Sequence, residues 1–272
     1  LSTVSATPSG VKMQNKYSAV WLLGRFDLKT GIFQVEQWDQ LDDGTDFYAP
    51  QTTRGLNGER IMIAWQQSWE RNIPPAELGH NWAGHMTLPR ELECIGDRIC
   101  QKPAIDSACF EGEAVVHNEV RITGQQTLSG VRGNNVYLRV CADLSGCDTL
   151  TISLYKKNTE ATALVIDGLK KQILLDRSLG GYPIAGAEMV PGASNRCASP
   201  FSDEANGIVT LEIFLDNGAI EVFCKETGRC LTSRVYSKQQ GEDITFEAKG
   251  EAIISVEAHQ FLTGPSGEME SE

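Results

Sequence analysis

Short runs in which apolar and polar residues alternate, separated by turn residues, dominate this chain. No long stretch has the apolar period of an amphipathic helix. Alternation with a period of two is typical of β-strands that bury one face. Beyond residue 110 the runs recur roughly every eight to twelve residues, which indicates a β-sandwich. The predicted strands there are Ala114–Ile122, Asn135–Asp143, Leu150–Lys156, Ala163–Asp167, Gln172–Asp176, Val209–Leu215, Ala219–Cys224, Leu231–Val235, Asp243–Lys249 and Ala252–Phe261.

The first hundred residues also predict strands, with a weak internal repeat. Two apolar runs, Val20–Gly24 and Ile61–Trp65, begin 41 residues apart, and a proline-containing run precedes each, at Pro8 and Pro50. A period of ~40–45 residues is that of one four-stranded propeller blade. Chance similarity is the alternative for two copies this faint. In the loop after these runs, Pro74-Pro75 predicts a segment without regular structure.

A length of 272 residues favours two modules. We predict residues 1–100 as the first module, 101–110 as a linker and 111–262 as the β-sandwich. Residues 263–272 are rich in Gly, Ser and acidic side chains, so we predict a disordered acidic tail there.

The formal net charge of -12 disfavours nucleic acid and anionic membrane surfaces as partners, since both require basic patches. There is no apolar run long enough to predict a membrane span. No signal peptide is visible at Leu1–Ser5, which leaves the compartment, cytoplasmic or secreted, undecided. His80 and His85 lack cysteine or acidic neighbours at metal-ligand spacing. We therefore predict no metal ion and no cofactor.

The cysteines include three pairs with a separation of six residues, Cys94/Cys100, Cys141/Cys147 and Cys224/Cys230. An even separation around a turn places both side chains on one face of a hairpin, at a distance that a disulfide can span. Free thiols that pack in strands as small hydrophobic side chains are the alternative. The sequence leaves both open.

Four segments of the chain stand out in order. They are Asp42–Gln51 (Asp-Asp-Gly-Thr-Asp-Phe-Tyr-Ala-Pro-Gln), Arg60–Trp65 with Trp69 after it, Trp82–Leu92, and Ile220–Phe223 leading to Leu231–Tyr236. Together they resemble the C-terminal part of glycoside hydrolase family 32, the invertases and fructan hydrolases. The resemblance implies a five-bladed β-propeller followed by a β-sandwich, and retaining hydrolysis of a fructofuranosyl bond.

Retaining hydrolysis needs two carboxyl groups about 5–5.5 Å apart, a nucleophile and a general acid/base. The family carries them in Asn-Asp-Pro-Asn-Gly and Glu-Cys-Pro segments, with a stabilising aspartate in Arg-Asp-Pro. None of the three occurs here: Asp-Pro is absent, and Glu93-Cys94 is followed by Ile95. We therefore assign no catalytic residue to this chain and expect both groups to come from sequence upstream.

Five blades require more than ~200 residues, and only about 100 precede the linker. The expected fold class is therefore all-β: a partial five-bladed propeller, about its last two blades, followed by a β-sandwich. The chain also departs from the family at an inserted His-Asn before Trp82, and at Ala64 and Gln66 beside Trp65. These departures leave the preferred fructoside open.

The resemblance gives four candidate substrate-binding residues, Asp46, Tyr48, Trp65 and Trp69. An acid at the end of an inner strand can hydrogen-bond a sugar or raise the pKa of a neighbouring acid/base carboxyl. Aromatic rings can stack on a furanose ring. The alternatives are a turn-capping aspartate and aromatic side chains packed in a core. Trp82 is equally compatible with contact at the pocket rim and with packing.

Other conspicuous polar residues are predicted to be structural. We expect them in the turn at Gly44, in an ion pair, or in turns and at the surface of the sandwich: Asp42, Asp43, Arg90, Glu91, Arg177 and Glu221.

The leading hypothesis is the C-terminal portion of a β-fructofuranosidase-like enzyme that acts on sucrose or a fructan, with this chain alone inactive. The rival is a non-catalytic module that binds carbohydrate or a partner chain. That partner would be the missing N-terminal part of the propeller or another copy of this chain, because an open propeller leaves strand edges unpaired.

Overall fold

The computed structural model describes residues 15–189, 191–201 and 207–262. These residues are nearly all β, as expected. The strands are β1 (Val20–Asp27), β2 (Ile32–Gln40), β3 (Tyr48–Arg54), β4 (Arg60–Gln66), β5 (His85–Met86), β6 (Arg90–Ile95), β7 (Arg98–Pro103), β8 (Phe110–Gln126), β9 (Asn135–Lys157), β10 (Glu160–Asp167), β11 (Gln172–Leu179), β12 (Arg196–Pro200), β13 (Ile208–Asp216), β14 (Ala219–Cys224), β15 (Arg229–Arg234) and β16 (Asp243–Phe261). One short helix, α1 (Pro74–Glu77), and a 3-10 turn (Ser107–Cys109) complete this part of the chain. The predicted tail at 263–272 and the first proline of the repeat lie outside the described residues.

The N-terminal strands form two separate antiparallel units. Strands β1 and β2 make a hairpin with a bulge after Leu23. Strands β3, β4, β6 and β7 form a sheet in that order, and β5 pairs with β4. The two apolar runs of the predicted repeat therefore are both strands, β1 and β4, but they lie in different units. The number of propeller blades stays a prediction.

The remaining strands, β8 to β16, form one antiparallel sheet that folds over on itself. The sheet can fold over because the two halves of the long strand β9 pair with different strands on one side. Residues 135–143 pair with β13, and residues 149–157 pair with β10. On its other side β9 pairs with β16 along nearly its whole length, and β16 in turn pairs with β8. Strand β15 forms one edge of this sheet.

The main apolar core of the described residues lies inside the folded sheet, and alternate residues of strands such as β9 supply it. In β9 the buried positions Val136, Leu138 and Val140 continue, beyond the bend, as Leu150 and Ile152. This is the period-two pattern of strands that bury one face. Each such side chain contributes roughly 1.5–3 kcal/mol by leaving water.

Most predicted strands of this region are present, with two systematic differences. The paired predictions Asn135–Asp143 with Leu150–Lys156, and Asp243–Lys249 with Ala252–Phe261, are single bent strands, β9 and β16. The turn residues between each pair mark a bend and not a strand end. Strand β12, at the other edge of the sheet, was not predicted.

The Pro74-Pro75 pair begins a helix, so the prediction of a segment without regular structure is wrong there. Both prolines occupy the first turn of α1, where the helix needs no backbone N–H donor.

All eight cysteines are free thiols. The register of the hairpins explains why. Phe223 and not Cys224 lies opposite Cys230, and the two sulfurs belong to different apolar clusters. The β6–β7 hairpin has the same mismatch, because Glu93 and not Cys94 lies opposite Cys100.

Candidate functional site

The segment between β2 and β3, residues 41–47, lies against the edge strand β15. The backbone N–H of Asp46 donates to the carbonyl oxygen of Thr232 at 3.1 Å. In return, the N–H of Thr232 donates to the Asp42 carboxylate and the N–H of Arg234 to the Asp46 carboxylate, both at 3.0 Å. The segment occupies the position that a further strand would take, and it joins the N-terminal strands to the nine-stranded sheet.

Gly44 lies where this segment comes closest to β15. A Cβ atom at residue 44 would overlap the backbone nitrogen and oxygen of Thr232. Only a residue without a side chain fits this approach. The glycine between the aspartates is therefore required by packing against the strand.

All three aspartates of the segment are buried and paired with arginine. The pairs are Asp42–Arg90 at 2.8 Å, Asp43–Arg229 at 2.6 Å and Asp46–Arg71 at 2.8 Å. The expectation that Asp42 and Asp43 serve the turn at Gly44 is correct only in part. Asp42 does accept the N–H of Gly44 at 2.8 Å, but its main partners lie outside the turn.

Asp46 has the most arginine partners of the three. Its carboxylate also pairs with Arg177 of β11 and, at 3.4 Å, with Arg234 at the end of β15. The side chain has no exposed surface. Burial by itself raises the pKa of Asp46, but the charges of Arg177, Arg234 and Arg71 outweigh it and hold the pKa well below the usual range. Asp46 is therefore an anion at neutral pH and cannot act as a proton donor.

Arg90 of β6 forms a second buried link between the two sheets. Its guanidinium joins Asp42 to Glu221 of β14, with Nη2 2.6 Å from Oε2. The expected ion pair between Arg90 and Glu91 is not formed; Glu91 pairs with Lys102 at 3.1 Å. Successive residues of a strand point to opposite faces, so Arg90 turns inward and Glu91 outward.

Arg177 and Glu221 are buried, so the prediction that they lie in turns or at the surface is wrong. A signal for Glu221 was available. It lies inside the apolar run Ile220–Cys224, and a charged residue in such a run requires a buried partner. For Arg177 no comparable pattern is visible, because its partner lies 131 residues away.

Four aromatic rings form a cluster next to this charge network, which we call the aromatic cluster: Tyr17, Tyr48, Trp65 and Trp69. The ring of Tyr48 packs edge-on against the other three, with centroids 5.8 to 6.3 Å away. The two tryptophans are 5.2 Å apart. Trp69 remains 54% exposed, so the cluster presents aromatic surface to solvent.

Neighbouring residues fix the cluster. Gly84 packs against Trp65: a Cβ there would lie 2.6 Å from the indole nitrogen, and the residue has a φ of +77°. At the rim, the hydroxyl of Tyr17 donates to Glu70 at 2.7 Å. This hydrogen bond and Lys16 lower the pKa of Glu70, so it is ionised at neutral pH.

The structure brings Tyr48, Trp65 and Trp69 together, as the sequence hypothesis requires. Asp46 precedes Tyr48 by two residues and pairs with Arg71, which follows Trp69 by two. The ion pair therefore ties together the two segments that carry these rings. Direct contact of the four residues with a sugar stays a prediction, and for Asp46 the carboxylate is fully occupied by arginines. Tyr17 was not predicted, because nothing in its local sequence indicates a site.

Within the described ranges, no group of three or more His, Cys, Asp and Glu side chains is arranged to hold a metal ion. Over the same part of the chain, no helix has the length and apolar character to cross a membrane.

Comparison with protein families gives two consecutive matches. Residues 1–103 match the family described as "Glycosyl hydrolases family 32 N-terminal domain", and residues 108–260 match "Glycosyl hydrolases family 32 C terminal".

Among curated proteins, the chain is 27% identical to raffinose invertase of Escherichia coli, over 91% of this chain and 49% of that protein. It is 26% identical to sucrose-6-phosphate hydrolase of Staphylococcus xylosus, over 86% of this chain and 46% of the relative. The chain thus spans about half the length of the curated relatives it matches.

Solved structures agree in fold. An exo-inulinase from Aspergillus awamori superposes with a TM-score of 0.75 at 21% identity, over 89% of this chain and 49% of that one. A variant of a Bombyx mori β-fructofuranosidase in complex with sucrose superposes with a TM-score of 0.72 at 26% identity, over 93% of this chain and 49% of that one.

Proposed function

Because this chain belongs to glycoside hydrolase family 32, we propose that it is the C-terminal portion of a β-fructofuranosidase-like hydrolase acting on sucrose or a fructan. The match to both family domains supports the activity class. The names of the relatives, an invertase of raffinose and a hydrolase of sucrose 6-phosphate, support a fructoside substrate. The sucrose complex of the Bombyx mori enzyme supports the same substrate class.

In this proposal the strands up to about residue 100 are the last two blades of a five-bladed propeller. Residues 101–110 are a linker, and residues 111–262 are the appended sandwich. The folded nine-stranded sheet, with one core between two layers, supports the sandwich.

The aromatic cluster is the single observation that carries the site assignment. We assign Tyr48, Trp65 and Trp69 to one wall of the sugar pocket, where the exposed ring of Trp69 stacks on the apolar face of a sugar. Asp46 acts on the same pocket by positioning, since its ion pair with Arg71 holds the segments that carry the rings.

The chemistry follows the two-carboxylate route of retaining glycosidases. Each aspartate of the segment 41–47 is paired with arginine, which leaves none of them available as nucleophile or acid/base. We propose that these two groups come from sequence outside this chain, and that the chain alone does not turn over substrate.

Two measurements test the proposal. The purified 272-residue chain is assayed for release of reducing sugar from sucrose, inulin and levan, and we expect none; turnover above that of a buffer control contradicts the missing-carboxylate proposal. The chain extended by its upstream reading frame is then assayed with Trp65→Ala and, as a matched control, Trp38→Ala. We expect loss of kcat/KM by about tenfold or more for Trp65→Ala only. Equal activity of the two variants would contradict the assignment of Trp65 to the sugar pocket.

A second candidate function, a non-catalytic module that pairs with a partner chain, is favoured by the β1–β2 hairpin. The hairpin exposes apolar side chains: Leu22, Phe26, Leu28, Ile32 and Val35 are each at least 45% exposed. An apolar hairpin of this kind is a surface for further chain, either the missing propeller part or a second copy. Light scattering separates the two proposals: a dimer dispersed by charged substitutions at Leu22 and Ile32 favours the partner-binding module, and a monomer disfavours it.

A further inference from the structure

Part of the loop between β11 and β12, residues 183–188, lies outside the nine-stranded sheet and packs against the N-terminal strands; we call it the docking loop. It contacts two segments that adjoin the aromatic cluster. One is 15–17, which ends in Tyr17, and the other is 70–72, which directly follows Trp69. A loop of the sandwich therefore touches the chain on two sides of these rings.

Asn72 forms three hydrogen bonds to the docking loop. Its backbone N–H donates to the carbonyl oxygen of Ala185 at 3.2 Å, and its side-chain oxygen accepts the N–H of Ala185 at 2.8 Å. Its side-chain amide donates to the carbonyl oxygen of Pro183 at 3.2 Å. Arg71 adds two contacts, from Nε and Nη2 to the carbonyl oxygen of Gly186, each at 3.3 Å. These bonds fix the path of the chain directly after the exposed tryptophan.

Gly186 brings the docking loop against the backbone of Glu70. A Cβ atom at residue 186 would lie 2.0 Å from the carbonyl oxygen of Glu70, and Gly186 has a φ of +99°. Both observations require a glycine there. The carboxylate of Glu70 accepts the hydrogen bond of the Tyr17 hydroxyl. The close approach at Gly186 thus holds a residue that is bonded to the aromatic cluster.

The docking loop also pairs with the segment before Tyr17. The N–H of Lys16 donates to the carbonyl oxygen of Ala187 at 3.0 Å, and Asn15 and Glu188 form an antiparallel bridge. Ala187 is buried and has a φ of +55°. An alanine keeps this left-handed conformation only where its surroundings hold it. The contact with the segment 15–17 is therefore a constrained one.

The far end of the docking loop is fixed to the charge network. The carboxylate of Glu188 accepts the N–H of Ser194 at 3.0 Å, and Arg177 donates from Nε to the carbonyl oxygen of Ser194 at 2.8 Å. Arg177 is also a partner of Asp46. The docking loop contains no aromatic residue, so it can influence the rings only through the segments that it holds.

We propose that the docking loop positions the aromatic cluster, with Asn72 and Gly186 as the positioning residues. Because it holds the segments next to Tyr17 and Trp69, it sets the placement of both rings against Tyr48. The consequence for substrate rests on the proposed function: with the cluster as a wall of the sugar pocket, the sandwich adjusts the affinity for the fructoside without touching it.

Circular dichroism of the 272-residue chain tests the positioning directly. Two indoles packed as closely as Trp65 and Trp69, with centroids 5.2 Å apart, give an exciton couplet. The difference between spectra recorded with and without Trp69→Phe isolates this couplet. We expect Asn72→Ala to reduce it, because two side-chain hydrogen bonds are lost. Gly186→Ala should also reduce it, because its methyl group displaces the segment after Trp69.

Gln260→Ala is the matched control for this measurement. Its exposed amide likewise donates to a backbone carbonyl oxygen, that of Arg132 at 2.9 Å, but this contact lies within the sandwich. The control should keep the full couplet. The backbone signal of the same spectra verifies folding, and Asn72→Ala decides the test if Gly186→Ala does not fold. A couplet that stays unchanged in the folded variants of Asn72 and Gly186 overturns the inference.

The chain extended by its upstream reading frame then tests the effect on substrate. We expect Asn72→Ala to raise the KM for sucrose about fivefold and to keep kcat within about twofold, since misplaced rings weaken the binding of substrate and transition state alike. Gln260→Ala should change neither constant. A fall in kcat at unchanged KM contradicts the effect on affinity. An extended wild type that hydrolyses no fructoside contradicts the proposed function instead, and the couplet still decides whether the docking loop positions the rings.

Discussion

Replacing Asp46 by asparagine is the most direct test of the buried charge network. The substitution keeps the size of the side chain and removes its charge. Arg71, Arg177 and Arg234 then remain buried around a neutral amide. Removing one partner of a buried ion pair typically costs about 3–5 kcal/mol, because the other charge is left without compensation.

We therefore expect Asp46→Asn to lower the free energy of unfolding by about 3–5 kcal/mol. Three arginines share this carboxylate, which favours the upper part of the range. At about 2–4 °C per kcal/mol for a chain of this size, the melting temperature should fall by about 6–20 °C.

Urea unfolding, followed by tryptophan fluorescence and circular dichroism, measures the effect. The midpoint should fall with an unchanged dependence on urea, and both probes should report one transition. Asp27→Asn is the matched control, because Asp27 is exposed and its partners, Lys29 and Thr30, lie within the same turn; its midpoint should not move. A loss of less than about 1 kcal/mol for Asp46→Asn would refute the view that this carboxylate balances buried charge.

Three further predictions concern the same segment and the thiols. Gly44→Ala should destabilise the chain by about 1–3 kcal/mol in the same urea assay, since its methyl group overlaps the backbone of Thr232; an unchanged midpoint would contradict the packing role of Gly44. The pKa of Asp46 is lowered by folding, so its contribution is complete above the unfolded pKa of about 3.9 and is lost as the pH falls toward the folded value. The difference in free energy of unfolding between the wild type and Asp46→Asn should accordingly be larger at pH 7 than at pH 3. A difference that does not change with pH would contradict the lowered pKa of Asp46. Because the cysteines are free, iodoacetamide should label all eight in the denatured chain without prior reduction; fewer labels would reveal disulfides.

Local patterns predict much of this fold. Alternating runs locate most strands beyond residue 110, and the Asp216-Asn217-Gly218 turn between β13 and β14 follows from its residue types. The same patterns divide β9 and β16 into two strands each, because turn residues at a bend resemble those at a strand end. Whether a strand continues is decided by its neighbours in the sheet, which the local sequence does not contain.

The sequence likewise predicts one part of the candidate site and not the other. Tyr48, Trp65 and Trp69 lie in segments that resemble a known family, so they could be selected from the sequence. The partners of Asp46 could not, because Arg177 and Arg234 are 131 and 188 residues away. From the sequence alone, a short acidic segment is interpreted as a turn, because the sheet against which it packs is not known.

The length of β9 has a consequence for the order of events during synthesis. Its hydrogen-bonding partner β16 begins at residue 243, 86 residues after β9 ends at residue 157. Until those later residues leave the ribosome, one whole side of the longest strand in the described chain has no neighbour. Contacts of such long range slow folding and prolong the exposure of apolar edges. Nascent chains that stall before residue 243 should therefore be the ones that chaperones retain.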